Sequence, residues 1–174
     1  MKWIVFFSQT GTEIVDLVSR LGRKPDLVVF NGKDVPDKIR DLNIEIKCLP
    51  RKPSTEDYFS VFPNEDFIAT FHGWLRIVPP EVCKLFAGKL FNGHPGLITK
   101  FPELKGKDPQ IRAFQGMYTQ IGSVVHELTA ELDGGDILTQ ESTLVEYPTS
   151  LDFIFSSLRE TSLKAWLAFF KNRI

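Results

Sequence analysis

Short runs of consecutive apolar residues alternate along this chain with stretches whose apolar residues recur every three or four positions. That alternation limits the folds open to it. WIVFF, residues 3–7, is apolar throughout, as a strand covered on both faces must be. After the turn SQTGTE, Ile14, Val15, Leu17, Val18 and Leu21 recur at helical spacing. Thr12 is the expected N-cap of that helix, and Gly22 stands where it should stop. Residues 26–31 read as a second strand, 36–42 as a short helix and 44–49 as a third strand. The polar stretch 50–66 shows no strong period. Residues 67–71 read as the fourth strand, 78–88 as a helix with proline in its first turn, and 89–92 as a short fifth strand. The pattern predicts an α/β fold, a mostly parallel sheet with helices on both faces. Its last third differs: residues 122–128 and 136–145 read as strands with no helix between them, so a hairpin-like or mixed-direction pair is expected. Residues 150–171 close the chain as a long helix.

A length of 174 residues with 43% apolar content suits one domain over residues 1–174. The net charge of −1 gives no broad electrostatic reason to expect nucleic acid or a membrane surface as partner. Cys48 and Cys83 are far apart and form no CxxC pair; they read as two free thiols in a reducing compartment. The apolar start is too short for a signal-peptide core or a membrane span, so the expected location is cytoplasmic. A homodimer is compatible with the sequence.

Most catalytic signatures are missing. SQTGTE lacks the lysine of a phosphate-binding P-loop, and no GxGxxG follows a strand. His72, His94 and His126 are widely spaced, with no HExxH and no paired cysteines, so no metal is expected. There is no GxSxG for a serine nucleophile, and Cys83 falls in a predicted helix among apolar neighbours. What remains is FNGHPGLITKFPELKG, residues 91–106, and ELDGGDILTQ, residues 131–140. Asn92 and His94 come just past the end of a predicted strand, where open α/β sheets bind their ligands.

These two segments, with GSVVH between them, resemble the folate-dependent formyltransferases. The family pattern is Asn-x-His-Pro, then Gly-x-x-x-His, then Asp-x-Gly-x-Ile-x-x-Gln. Asn92, His94, Pro95, Leu97, Gly122, His126, Asp133, Gly135, Ile137 and Gln140 fall on it. WLRIV, residues 74–78, is similar to the segment that lines the family's folate pocket. Gly96 stands where the family usually has serine. Gly11 and Thr12 match the turn that holds the acceptor's phosphate in the glycinamide ribonucleotide enzymes; Gln9 and Glu13 do not.

The resemblance implies a Rossmann-like three-layer formyltransferase fold with an antiparallel portion near the C-terminus. It implies transfer of a formyl group from 10-formyltetrahydrofolate, as co-substrate, to the primary amine of a small acceptor such as glycinamide ribonucleotide, a step of one-carbon metabolism and purine biosynthesis. An amine on a sugar nucleotide or modified nucleotide, or folate binding without catalysis, are the alternatives. Neither a methionyl-tRNA acceptor nor simple hydrolysis of the donor is expected, because those enzymes carry further domains. Such a transfer develops negative charge on the formyl oxygen and moves a proton between two nitrogens. Asn92 and His94 would face the oxygen, Asp133 would favour the imidazolium and assist the proton, and Pro95 would restrict His94. The resemblance places the pterin against Leu75, Arg76, Ile77 and Val78 and against the backbone of Ala130, Glu131, Leu132 and Asp133. It leaves the acceptor to Gly11, Thr12 and Pro95. Arg76 is either a partner of a folate carboxylate or a surface arginine, and His126 either supports the site or belongs to the core.

Overall fold

The computed structural model describes every residue except Asn172 and Ile174. One seven-stranded sheet runs through it in the order β3-β2-β1-β4-β5-β6-β7. Strands β1 (Lys2–Phe7), β2 (Leu27–Phe30), β3 (Ile46–Cys48), β4 (Phe67–Phe71) and β5 (Leu90–His94) are parallel. β6 (Gln120–Glu127) and β7 (Ile137–Leu144) extend the sheet antiparallel. The mostly parallel sheet and its antiparallel end agree with expectation.

Side-chain alternation along the strands sorts the core into two faces. Trp3, Val5 and Phe7 point to the face covered by α1 (Thr12–Leu21) and the long α6 (Leu151–Lys171), where Ile14, Leu17, Trp166, Phe169 and Phe170 meet them. Ile4 and Phe6 point the other way, toward α3 (Thr55–Phe59) and α4 (Pro80–Leu85), with Tyr58, Phe71, Trp74 and Val82. A third cluster joins β6 to α5 (Pro109–Gln115) and the first half of α6 through Ala113, Val124, Ile154 and Leu158. The remaining helix, α2 (Asp37–Arg40), adds Ile39 to the α1 face. Among the described residues no helix is long and apolar enough to cross a membrane. Both cysteines are unpaired, Cys48 exposed and Cys83 buried in α4.

Several boundaries differ from the sequence reading, each for a local reason. The N-cap of α1 is Gly11, at φ 67°, and Thr12 is the first helical residue. Glycine enters that left-handed conformation without steric cost, and the Thr12 hydroxyl turns instead to Thr10, at 3.2 Å. The polar stretch after β3 contains α3, started by a capping box: Ser54 Oγ accepts from the Asp57 N–H, and the Asp57 carboxylate accepts from the Ser54 N–H. The segment between the two motifs holds a 3₁₀ turn, Pro102–Leu104, and α5, neither expected from periodicity. β5 continues to His94, so Asn92 and His94 lie on the strand and not beyond it.

Phe6 tests the second face. It is fully buried and stacks on Phe71 with ring centroids 4.5 Å apart. Phe6→Ala is expected to cost about 3–5 kcal/mol, read as a fall in the urea midpoint with little change in slope.

Candidate active site

The geometry starts from the β5–β6 register. Asn92 is paired directly with His126 across the antiparallel ladder, and a bulge lies between Val125 and His126. Opposed residues on such a pair share a face, and the Asn92 side-chain amide reaches His126 Nε2 at 3.2 Å. Asp133 enters from the loop joining β6 to β7, in a left-handed conformation at φ 49°. That loop is held closely: a β-carbon on Gly135 would lie 1.9 Å from the Glu127 carbonyl oxygen, so only glycine fits there.

Asp133 sits between two imidazoles. Its Oδ2 is 3.5 Å from His94 Nδ1 and its Oδ1 is 3.4 Å from His126 Nε2. The Gly106 N–H donates to Oδ2 at 2.8 Å. Asp133 is 8% exposed and His126 is fully buried. The hydrogen-bond partners assign protons. His94 Nε2 faces the Leu104 carbonyl at 2.8 Å and must donate to it, which leaves Nδ1 toward the carboxylate. His126 Nδ1 faces the Glu127 carbonyl at 2.9 Å and must donate as well. In the neutral ring Nε2 then accepts from Asn92, whose second amide N–H has no partner among the described residues.

Burial pushes the His94 imidazole below its ordinary range, although the Asp133 charge and the Leu104 carbonyl pull the other way. Asp133 thus favours the imidazolium, as expected, but desolvation outweighs that charge in the free protein. Asp133 behaves oppositely. Burial raises it, but a hydrogen bond from the protonated His126 ring, the charge of a protonated His94 and the Gly106 N–H together hold it below the usual carboxylate range.

Of the other sequence candidates, Leu75, Ile77 and Leu132 expose large apolar side chains, Ile77 to 80%, while Val78 is buried. Ala130 and Glu131 are exposed on the β6–β7 loop. Val78 and Leu128 belong to the same apolar cluster, which puts the strap after β4 and the start of that loop on one face. Arg76 is half-buried and donates from Nε to the Arg51 carbonyl. A cleft of about 570 Å³ opens beside it, lined by Ser8, Asn31, Lys33, Arg51, Leu75 and Arg76. It adjoins the strap and not the Asp133 cluster. Gly11 and Thr12 form the entry of α1, and Lys38 Nζ donates to Thr12 Oγ1 at 3.0 Å. Pro95 directly follows β5, and a β-carbon on Gly96 would come within 3.0 Å of His94 Nε2. Among the described residues no group of three or more His, Cys, Asp and Glu is arranged to hold a metal ion.

Two functional groups escaped the sequence reading, the Leu104 carbonyl and the Gly106 N–H. Both are backbone groups, and the only signal for them was the Pro- and Gly-containing FPELKG that carries them.

Two tests follow from this geometry. Gly135→Ala is expected to cost about 1–3 kcal/mol by forcing the loop off the Glu127 carbonyl, seen as a lowered melting temperature. The second concerns pH. Because the folded His94 binds a proton less readily than the unfolded chain, folding weakens as pH falls through about 6.5. Because the folded Asp133 is lowered, its contribution is complete above about pH 4 and lost only below that. Urea midpoints measured from pH 8 to 5 should therefore decline, and His94→Gln should flatten the decline.

The formyl transferase family model matches residues 62–168. A phosphoribosylglycinamide formyltransferase of Haemophilus influenzae is 31% identical over 88 residues, 51% of this chain and 40% of that protein. The Escherichia coli protein of the same name is 34% identical over 73 residues, 42% of this chain and 33% of that protein. The match thus spans less than half of either relative's length. Among solved structures, the phosphoribosylglycinamide formyltransferase of Anaplasma phagocytophilum superposes with a TM-score of 0.85 at 20% identity, covering 95% of this chain and 83% of that one. A formyltetrahydrofolate deformylase of Pseudomonas putida gives 0.82 at 20% identity, covering 96% of this chain and 62% of that one. The structures share the fold, and the family match extends over more than half the sequence: this chain belongs to the formyl transferase family.

Proposed function

We propose that this chain transfers a formyl group from 10-formyltetrahydrofolate to the primary amine of a small acceptor of the glycinamide ribonucleotide kind. The observation that carries the reading is the meeting of Asn92, His94, His126 and Asp133 within one cluster. Relatives named for phosphoribosylglycinamide formylation support the reaction class.

The amine nitrogen attacks the formyl carbon. A C–N bond forms, the C–N10 bond of the folate breaks, and one proton passes from the attacking nitrogen to N10. Charge grows on the formyl oxygen in between, and the unspent N–H of Asn92 is the donor for it. His94, kept neutral by burial, can accept the amine's proton on Nδ1. The imidazolium so formed is stabilised by the Asp133 carboxylate at 3.5 Å, its positive charge favours the growing oxyanion, and it returns the proton to N10. His126 orients Asn92 and Asp133 from the core side.

On the folate side, a flat ring laid on Leu75, Ile77 and Leu132 removes their apolar surface from water, with Val78 as the inner wall and backbone groups of Ala130 and Glu131 as polar partners. The cations of the neighbouring cleft, Lys33, Arg51 and Arg76, suit the carboxylates of a folate tail. Gly11, Thr12 and Pro95 are left for the acceptor. Residues 1–174 are read as one catalytic domain working in the cytoplasm without a metal. A sugar-nucleotide amine is the second acceptor reading, suited to a turn in which Gln9 and Glu13 depart from the family's phosphate-holding pattern.

Release of tetrahydrofolate from 10-formyltetrahydrofolate, followed against a panel of amines, tests the proposal. Asn92→Ala, His94→Ala and Asp133→Asn should each lower turnover about 100- to 1000-fold with the fold retained. Full activity in the last two would sink the mechanism. Tight folate binding with no turnover on any amine would make the protein a binder.

A further inference from the structure

His72 takes no part in the reaction as proposed, yet its side chain is only 2% exposed and is paired with a carboxylate. Its Nδ1 lies 2.7 Å from Glu13 Oε1, and its Nε2 lies 2.9 Å from Thr70 Oγ1. Thr70 also accepts from the Trp3 indole N–H at 2.8 Å. The second oxygen of Glu13 accepts from the Ser162 hydroxyl of α6 at 2.5 Å. The His72 ring lies against Trp166 with centroids 4.4 Å apart. Trp166 Nε1, buried and without a hydrogen-bond partner among the described residues, adds to the surroundings that keep Glu13 ionised. Burial raises the Glu13 carboxyl, but His72, Ser162 and Trp166 together bring it below its ordinary range. The same indole nitrogen stands 2.7 Å from where a β-carbon of Gly93 would be, and Gly93 separates Asn92 from His94.

The location gives this network its meaning. Glu13 is in the first turn of α1, next to Gly11 and Thr12. His72 is the first residue after β4, where the strap toward Val78 begins. β1 and β4 are neighbours, but their chains leave to opposite faces of the sheet, so a crevice opens between turn and strap. Glu13 and His72 bridge that crevice. A second bridge lies nearby: the Leu75 N–H donates to Ser8 Oγ at 3.0 Å, and Ser8 donates on to Asn31 Oδ1 at 2.7 Å. Neither bridge uses Asn92, His94 or Asp133. Thr70 and Ser162 tie the two partners to β4 and α6, which do not yield easily. If the root of the strap shifts, a largely sequestered carboxylate loses its partner, so strap and turn have to move together.

We propose that Glu13 and His72 are positioning residues that couple the two substrate sites, so that folate ordering the strap also orders the acceptor turn. The inference rests on the reading that the strap takes folate and the turn takes the acceptor. It concerns residues outside the reacting cluster.

Amide hydrogen exchange on the whole chain, with and without 5-formyltetrahydrofolate as probe, tests it. In the wild type the probe should slow exchange in the strap, residues 73–78, and by about tenfold in the turn, residues 9–13. In His72→Phe, which keeps an aromatic ring against Trp166, the strap should still be protected and the turn should not. His72→Asn, whose amide can take the place of the Nδ1–H donor, should restore turn protection, which a purely space-filling role would not do. If His72→Phe does not fold, Glu13→Gln gives the same comparison, since it weakens the bridge at the same shape. A protected strap with an unprotected turn in the wild type overturns the coupling and leaves the folate reading standing. So does turn protection that survives both His72→Phe and Glu13→Gln. A strap that the probe does not protect at all overturns the folate reading itself, and the coupling with it.

Discussion

A carboxylate taken almost wholly out of water has to be satisfied from within the protein, and Asp133 is surrounded by groups from three separate segments: the Gly106 N–H donates to it, and the two imidazoles do so when protonated. His94 comes from β5, His126 from β6 and the Gly106 N–H from the loop before α5. They surround the carboxylate together only if the parallel half of the sheet, its antiparallel extension and the connecting loops are all formed. The two imidazoles on either side lie in the same low-dielectric space, which is why one carboxylate affects the proton affinity of His94 while being held ionised itself.

The sheet supplies precision where side chains alone would not. Asn92 and His126 face each other because they are register partners, and His94 follows two residues on, on the same side of β5. On the opposite side of that strand Gly93 leaves room for Trp166, so α6 packs closely behind the cluster. The core behind β5 and the site in front of it are thus two faces of one five-residue strand.

Much of this was legible in the residues. The all-apolar runs at β1 and β4 and the helical spacing from Ile14 to Leu21 announce the α/β sheet, because burial on both faces leaves little choice of residue type. Strands 122–128 and 136–145 announce their pairing by the lack of a helix between them. The Asn92, His94 and Asp133 set was legible through its resemblance to a family, not through spacing alone. What the residues did not disclose has a common cause: it depends on distance in space between parts far apart in the chain. The Glu13–His72 pair spans 59 positions and reads, in the sequence, as a stray acid and an unassigned histidine. The Leu104 carbonyl carries no side-chain signature at all. The balance between burial and charge at His94 is a property of the packed interior, so the sign of its shift had to wait for the structure.

The two strands of the antiparallel extension contribute to the cluster by different means. His126 is fixed by ladder pairing, whereas Asp133 hangs in the connecting loop behind the tight Gly135 contact. Exchanging that loop for one of another length would leave both imidazoles where they are while relocating the acid between them. Chimeras made at this hairpin would keep a native-looking scaffold with an emptied centre, so the number of residues from the bulge to Asp133 is the dimension any such graft has to preserve.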